Sequence, residues 1–290
     1  MFRKIGLIGI GMIGGSVALA ARAAGIKNVI ALDTNPENMV WAYANGMIDN
    51  VQGDNVAALY DADLVMLAVP MRSYGGVFEQ IAPHLPPGVI VTDVGSTKRS
   101  VMRDAAKFLL PHITFIGGHP IAGLEKHGPQ HADAKLFQNR WTILTPAFAG
   151  ASSDALQKLT DFWRALGSHV EEMTAEHHDR VLAITSHLPQ LIARTIVGTA
   201  ADLEDELQDE VIKFSAGGFR DFTRMAAADP IMWRDIFLEN GDAVLEMLQR
   251  LSEDIGLMQK RIRAGDGAAL EKVFTRAREI RKRVIDAQQA

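Results

Sequence analysis

Six short apolar runs, at residues 5–10, 28–32, 64–69, 89–94, 114–116 and 141–144, punctuate the first half of the chain. Most are separated by stretches of helical periodicity. Residues 12–24 are small and alanine-rich, and residues 36–45 open on Pro36 after Thr34 and Asn35, a good helix start. Strands alternating with helices predict a parallel sheet covered on both faces. The second half reads differently. After a short apolar stretch at 168–170 no strand is predicted, and residues 175–201 form a long helical pattern interrupted by Pro189. From Pro230 onward the pattern is almost continuously helical. There Val244, Leu248, Leu251, Ile255, Met258 and Ile262 recur at alternating spacings of 4 and 3. Such a seam favours helix-on-helix packing, within one chain or between two subunits. The change of style places a domain boundary near residue 172, giving an α/β domain at 1–172 and an all-helical domain at 173–290.

Length agrees with that division, since 290 residues suit two domains. Charge narrows the partners. With 30 Lys and Arg against 35 Asp and Glu, the net charge of −5 lacks the basic excess of a nucleic-acid binder. The absence of cysteine excludes disulfides, thiolate metal sites, iron–sulfur clusters and a cysteine nucleophile. The apolar run near the N-terminus is too short for a secretory core, and no uncharged stretch approaches the length of a membrane span. A cytoplasmic protein without membrane partners is the expectation.

The sharpest local signal follows the first apolar run. Gly9-Ile10-Gly11-Met12-Ile13-Gly14 joins the first strand to the first helix. In such a turn the first glycine permits the sharp bend, the second lets the backbone approach a pyrophosphate, and the third lets helix pack on strand. The helix N-terminus adds free N–H groups and a positive dipole end. Asp33 ends the second strand 22 residues past Gly11, the distance expected of the acid that holds a ribose 2′-hydroxyl. No basic residue follows it, so NAD is favoured over NADP. Gly9, Gly11, Met12, Ile13, Gly14 and Asp33 are the candidate cofactor residues, with Val69 and Pro70 at the end of the third strand.

Three later segments gather polar residues where strands end. Asp93-Val94-Gly95-Ser96-Thr97-Lys98 places Ser96 at the carboxyl end of the sheet, where open α/β folds bind ligands, although such a serine is usually a helix cap. Gly117-Gly118-His119-Pro120-Ile121-Ala122-Gly123 reads as a loop holding an exposed histidine. A histidine there is a natural base for an alcohol proton while hydride leaves the same carbon. His127 and His131 lie near it in sequence, but no carboxylate or HExxH pattern supports a metal site, and none is expected. Gly217-Gly218-Phe219-Arg220-Asp221-Phe222-Thr223-Arg224, followed by Trp233, offers guanidinium groups for a carboxylate. Taken alone, a surface pairing of these arginines with Asp221 or Asp235 explains them as well. His177 and His178 read as solvated or capping residues.

Together these segments resemble the prephenate/arogenate (cyclohexadienyl) dehydrogenases of tyrosine biosynthesis, over essentially the whole chain. The resemblance includes GxGxxGGS at 9–16, VGSTK at 94–98, GGHPIAG at 117–123, LFQNRWTILTP at 136–146, TSHLPQLIA at 185–193, GGFRDFTR at 217–224 and PIMWRDIF at 230–237. It implies a Rossmann-type NAD domain followed by an all-α dimerisation domain, and hence a homodimer. It also implies oxidative decarboxylation of a cyclohexadienol. His119 would be the base, Ser96 would hydrogen-bond the histidine and the substrate hydroxyl, and Arg224 would bind a substrate carboxylate. Trp233, Ser186 and Gly217 match other pocket positions.

Two positions depart from the family pattern. Gln190 stands where histidine is common, and Leu124 replaces a threonine. Both positions belong to the substrate side-chain region in the family, so the expectation is a shifted side-chain preference, with arogenate favoured over prephenate or a related cyclohexadienol used. A 3-hydroxyacid dehydrogenase of similar architecture is the rival enzyme. Its characteristic lysine with asparagine four residues later is missing, because Lys213 is followed at that spacing by Gly217. A non-catalytic NAD-binding protein would have no need to keep His119, Ser96 and Arg224 together.

Overall fold

The computed structural model describes residues 1–123, 126–146, 153–203, 210, 213–214 and 217–286. Seven strands form one sheet: β1 (Lys4–Ile8), β2 (Asn28–Leu32), β3 (Leu64–Leu67), β4 (Ile90–Asp93), β5 (Thr114–Pro120), β6 (Trp141–Pro146) and β7 (His169–Glu172). Their order is β2-β1-β3-β4-β5-β6-β7. The first five run parallel, as the alternating pattern predicts, whereas β6 is antiparallel to β5 and β7 runs parallel to β6. All five parallel strands therefore end on one edge, where ligands bind in such sheets.

The helices linking these strands are α1 (Met12–Ala23), α2 (Pro36–Ala44), α3 (Tyr74–Ile81), α4 (Arg99–Phe108) and α5 (Ser153–Ala165). Continuous apolar strands are what a sheet buried on both faces requires. One face packs Ile5, Leu7, Val17, Leu144, Phe162 and Trp163. The other packs Ile8, Leu67, Val91, Phe78 and Phe115, and it also takes in Trp233 and Ile236 from the second half of the chain. The latter two belong to α9 (Pro230–Glu239).

The remaining helices are α6 (Ala175–Leu182), α7 (Leu188–Ala201), α8 (Gly217–Thr223), α10 (Gly241–Arg263) and α11 (Gly267–Asp286). Between α6 and α7 the helix makes one π-turn at Ala183–His187. Pro189 explains it. A proline lacks the N–H that Thr185 O would accept in an α-helix, and its ring crowds that carbonyl. The chain divides into two compact units, Met1–Gly241 and Asp242–Ala290. The helices from Ala175 to Glu239 thus belong to the sheet's unit, and the second unit holds α11 and nearly all of α10.

One local reading changes. The GGHP segment is not a loop but the second half of β5. Residues 114–116 pair with β4, and residues 116–120 pair with β6, His119 lying opposite Ile143. The two glycines serve close packing within the sheet. A Cβ on Gly117 would lie 2.3 Å from Thr145 Oγ1, and one on Gly118 would lie 2.6 Å from the Asp93 carbonyl oxygen.

Candidate active site

The glycine turn is built as the sequence predicts. Gly9 has φ of +94°, and a Cβ there would meet the Ala68 carbonyl oxygen at 2.4 Å. A Cβ on Gly14 would lie 2.1 Å from the Gly9 carbonyl oxygen. Gly11 differs, because a Cβ there meets nothing within 4 Å. The space beside it is open, and Gly11 starts α1 without a side-chain cap. Free amides, open space and a positive helix end fit a pyrophosphate. Asp33 sits beside this cradle. Its Oδ2 accepts from Ile10 N at 2.7 Å and its Oδ1 from Asn35 N at 2.7 Å. The carboxylate is half-buried and keeps acceptor capacity for a ribose hydroxyl. Val69 and Pro70 follow β3 on the same sheet edge.

At the end of β5 a chain of ring nitrogens begins. His119 Nδ1 lies 2.8 Å from His178 Nε2, and His178 Nδ1 lies 2.8 Å from Asp179 Oδ1. An ionised carboxylate only accepts, so His178 must donate from Nδ1 and accept at Nε2. His119 must then donate from Nδ1, which leaves the lone pair on Nε2. The relay thus fixes His119 in the tautomer of a base. Burial lowers its proton affinity well below the ordinary histidine value, and the nearby His178, Lys98 and His187 lower it further. His178 is lowered too, by burial, against the opposing pull of Asp179.

Asp179 does more than orient His178. Its Oδ1 accepts from Lys98 N at 2.8 Å and its Oδ2 from Arg99 N at 3.0 Å. It thereby caps α4 from 80 residues away in sequence. Burial alone would raise this carboxyl, but bonds from His178 and from the Arg99 and Lys98 amides hold it below its ordinary value. Asn240 Nδ2 extends the network, donating to Asp179 O at 2.9 Å and to His187 Nδ1 at 3.1 Å.

Beneath the relay lies a fully buried ion pair between Lys98 and Asp93. Lys98 Nζ also donates to Gly118 O at 2.6 Å, while Asp93 accepts from Gly118 N at 2.9 Å and Gly95 N at 2.7 Å. Burial lowers the lysine and the aspartate opposes that lowering. With its lone pairs and protons taken up, such a pair is tolerable inside a protein.

Ser96 is half-buried in the β4–α4 connection, on the same sheet edge as His119. Among the described residues no hydrogen bond joins the two, and His119 Nδ1 is taken by His178. Ser186 is half-buried in the π-turn, Gln190 is buried on α7, and Trp233 is buried on α9 against His187, with ring centroids 6.0 Å apart. Gly217 and Arg224 are exposed, the first at the start of α8 and the second in the 3₁₀ turn after it. Leu124 lies outside the described residues. His178 is corrected from a solvated residue to a fully buried one, whereas His177 is exposed. Asp93 and Lys98 bound the polar segment at 93–98 and His187 lies within TSHLPQLIA at 185–193, but the sequence assigns none of them a role. For Asp179 and Asn240 only the adjacency of His178 and Asp179 offers a hint, uninformative without a third partner. Among the described residues no group of histidines and carboxylates is arranged to hold a metal, and no helix is long and apolar enough to cross a membrane.

A dinucleotide cradle and a base-ready histidine on one sheet edge are the marks of an α/β oxidoreductase. Comparison with known proteins narrows this. Residues 17–172 match the nucleotide-binding domain of prephenate dehydrogenase, and residues 174–276 match its dimerization domain. A cyclohexadienyl dehydrogenase of Zymomonas mobilis is 39% identical over 282 residues, spanning 97% of this chain and 96% of that protein. A prephenate dehydrogenase of Bacillus subtilis is 35% identical over 279 residues, spanning 95% of this chain and 74% of that protein. The crystal structure of Aquifex aeolicus prephenate dehydrogenase with hydroxyphenyl propionate and NAD+ superposes with a TM-score of 0.89 at 33% identity, covering 98% of this chain and 99% of the other. The chain belongs to the prephenate dehydrogenase family.

Proposed function

We propose that the protein is an NAD-dependent cyclohexadienol dehydrogenase that converts arogenate to tyrosine, prephenate to 4-hydroxyphenylpyruvate, or both. The observation that carries the mechanism is the relay, which leaves His119 neutral with its Nε2 lone pair free. NAD, when bound in the Gly9–Gly14 cradle, supplies the hydride acceptor. His119 Nε2 takes the ring hydroxyl proton as the carbinol carbon loses hydride and becomes a carbonyl. The bond to the ring carboxylate then breaks, carbon dioxide leaves, and its electron pair makes the ring aromatic. The phenolate oxygen takes up a proton, so one substrate and NAD+ give the phenol, carbon dioxide and NADH. Ser96 orients the hydroxyl, while Arg224, Trp233, Ser186 and Gly217 take the substrate side. Asp33 favours NAD by repelling a 2′-phosphate.

Gln190 and Leu124 shift the side-chain preference toward arogenate, because Gln190 hydrogen-bonds without carrying charge. The nucleotide segment 1–172 and the helical segment 173–290 are the functional division, and the latter pairs two chains. Exposed Ile255 (50%), Ile262 (64%) and Phe274 (59%) on α10 and α11 support the pairing. NADH formation from each substrate, with NAD and NADP, tests the reading. The expected result is turnover with NAD, faster on arogenate, abolished by His119→Asn without loss of NAD binding. Equal, vigorous use of both substrates refutes the shifted preference. Gln190→His should change the substrate ratio more than NAD affinity.

A further inference from the structure

Among the described residues, four buried side-chain polar atoms without hydrogen-bond partners lie on the π-turn, α7 and α9. They are His187 Nε2, Gln190 Oε1, Arg194 Nε and Trp233 Nε1. Buried polar groups are nearly always hydrogen-bonded, so a cluster of unpartnered ones is a candidate ligand-binding wall. His187 and Trp233 are in edge-to-face contact, and Arg194 lies one helical turn beyond Gln190, on the same face of α7. Arg194 reaches the foot of α9, where its Nη2 donates to Ala228 O at 2.8 Å. The wall connects to the relay through Asn240, which bonds both His187 and the Asp179 carbonyl.

The polarity of the orphans identifies the ligand group. Asn240 donates to His187 Nδ1, so the proton of that ring sits on Nε2. His187, Arg194 and Trp233 therefore each present an unused donor, and one of these donors is cationic. Arg194 has no acidic partner among the described residues, and its only hydrogen bond there is to a backbone carbonyl. Three donors, one of them a guanidinium, call for an anion rich in acceptors. A planar carboxylate fits best, since the guanidinium fork can bind it side-on through Nε–H and a neighbouring N–H.

We infer that Arg194 anchors the side-chain carboxylate of the substrate, and that Gln190 beside it accepts from the α-substituent of that same side chain. Arg194 thereby becomes a second carboxylate-binding residue besides Arg224, which sits on an exposed turn. Two carboxylates on one substrate then have two arginines. An α-ammonium group is a donor suited to the orphan Gln190 Oε1, whereas a keto oxygen is not. The assignment rests on the cyclohexadienol reading above.

The experiment compares wild type, Arg194→Gln and Arg194→Lys in two assays. The first is steady-state turnover of arogenate and prephenate with NAD. The second is inhibition by 3-(4-hydroxyphenyl)propionate against 4-ethylphenol, which lacks the carboxylate. A hydrogen bond to a charged group predicts a KM for the cyclohexadienol raised roughly ten- to a hundredfold in Arg194→Gln. The KM for NAD and the titrated NAD affinity stay unchanged, which shows the variant is folded. The preference of the wild type for the acid over 4-ethylphenol collapses to within about threefold, and Arg194→Lys restores part of it. An Arg194 that only braces the Ala228 carbonyl would lower stability and leave the acid-to-phenol ratio intact, and that outcome overturns the inference. A wild type that turns over neither cyclohexadienol refutes the functional reading instead, so the two failures are distinguishable.

Discussion

Replacing Asp179 by asparagine tests the relay with a nearly isosteric change. The carboxylate accepts three N–H groups: His178 Nδ1 at 2.8 Å, Lys98 N at 2.8 Å and Arg99 N at 3.0 Å. An amide offers one oxygen and one NH2, so two arrangements exist. With the oxygen toward His178 and Lys98, the NH2 opposes the Arg99 amide and the first turn of α4 loses a cap. With the NH2 toward them, the Lys98 amide is opposed instead, and His178 Nδ1 must accept. His178 then donates from Nε2, His119 accepts at Nδ1, and the proton of His119 moves to Nε2, where the substrate hydroxyl must deliver its own.

Either arrangement sets an NH2 against a backbone N–H in the first turn of α4, the buried one of Lys98 or the part-buried one of Arg99, which costs about 1–3 kcal/mol. Thermal unfolding should shift down by roughly 2–10 °C. The chemical step should slow by about 10²–10⁴, the usual worth of a positioned base. Even the first arrangement removes the negative charge that stabilises the relay once it carries the extra proton. A single-turnover measurement of NADH formation is the right assay, because product release cannot mask the step there. NAD binding, which does not involve Asp179, serves as the control. A single-turnover rate within about threefold of wild type in a folded, NAD-binding variant would refute the relay as the determinant of the His119 tautomer.

The cradle separates binding from folding. Gly11→Ala meets nothing in the protein, so its stability should stay within about 0.5 kcal/mol while the KM for NAD rises. Gly14→Ala drives a Cβ onto the Gly9 carbonyl at 2.1 Å, so it should lower both melting temperature and NAD affinity. Lys98→Met strands Asp93 in the interior, and urea unfolding should show a loss of about 3–5 kcal/mol. Removing that cation should also raise the proton affinity of His119, moving the acid limb of kcat/KM to higher pH. His187 is lowered from 6.5 to about 4 by burial. A depressed histidine contributes stability that is complete above pH 6.5 and is lost as pH falls toward about 4, here about 3 kcal/mol. His187→Gln should flatten stability measured across that window, and an unchanged slope would remove His187 as its source.

The legibility of this molecule follows the range of the interactions. The glycine turn was readable because its function is local: Gly9, Gly11 and Gly14 act on one turn, and Asp33 lies at a fixed distance along one βα unit. The parallel strands were readable because both of their faces are apolar. The antiparallel return of β6 was not, since strand direction leaves no mark in so short a run. GGHP read as a loop because glycine and proline usually mark turns. Here the glycines relieve contacts with Thr145 and Asp93, on segments distant in sequence. The helices from Ala175 to Glu239 join the compact unit of the sheet because Trp233 and Ile236 pack on its core, a contact no periodicity announces. His178 reads as a solvated or capping residue in the sequence, and only α4 laid against its helix shows it buried.

The proposed reaction, with His119 as its base, accounts for the electrostatics of that residue. Two nearby histidines and a buried lysine push its proton affinity down, which by itself describes a weak base. A strong base is not needed. The ring hydroxyl becomes acidic only as hydride leaves its carbon, so the proton and hydride are lost together, and the release of carbon dioxide with aromatisation makes the step downhill. A histidine of low proton affinity has two advantages under those conditions. It stays neutral and ready to accept across the physiological range, and it returns the proton readily to the phenolate formed at the end. In the proposed mechanism Asp179 sets the balance from the far end of the relay: its charge would stabilise the protonated relay, while Lys98 and burial disfavour that state at rest.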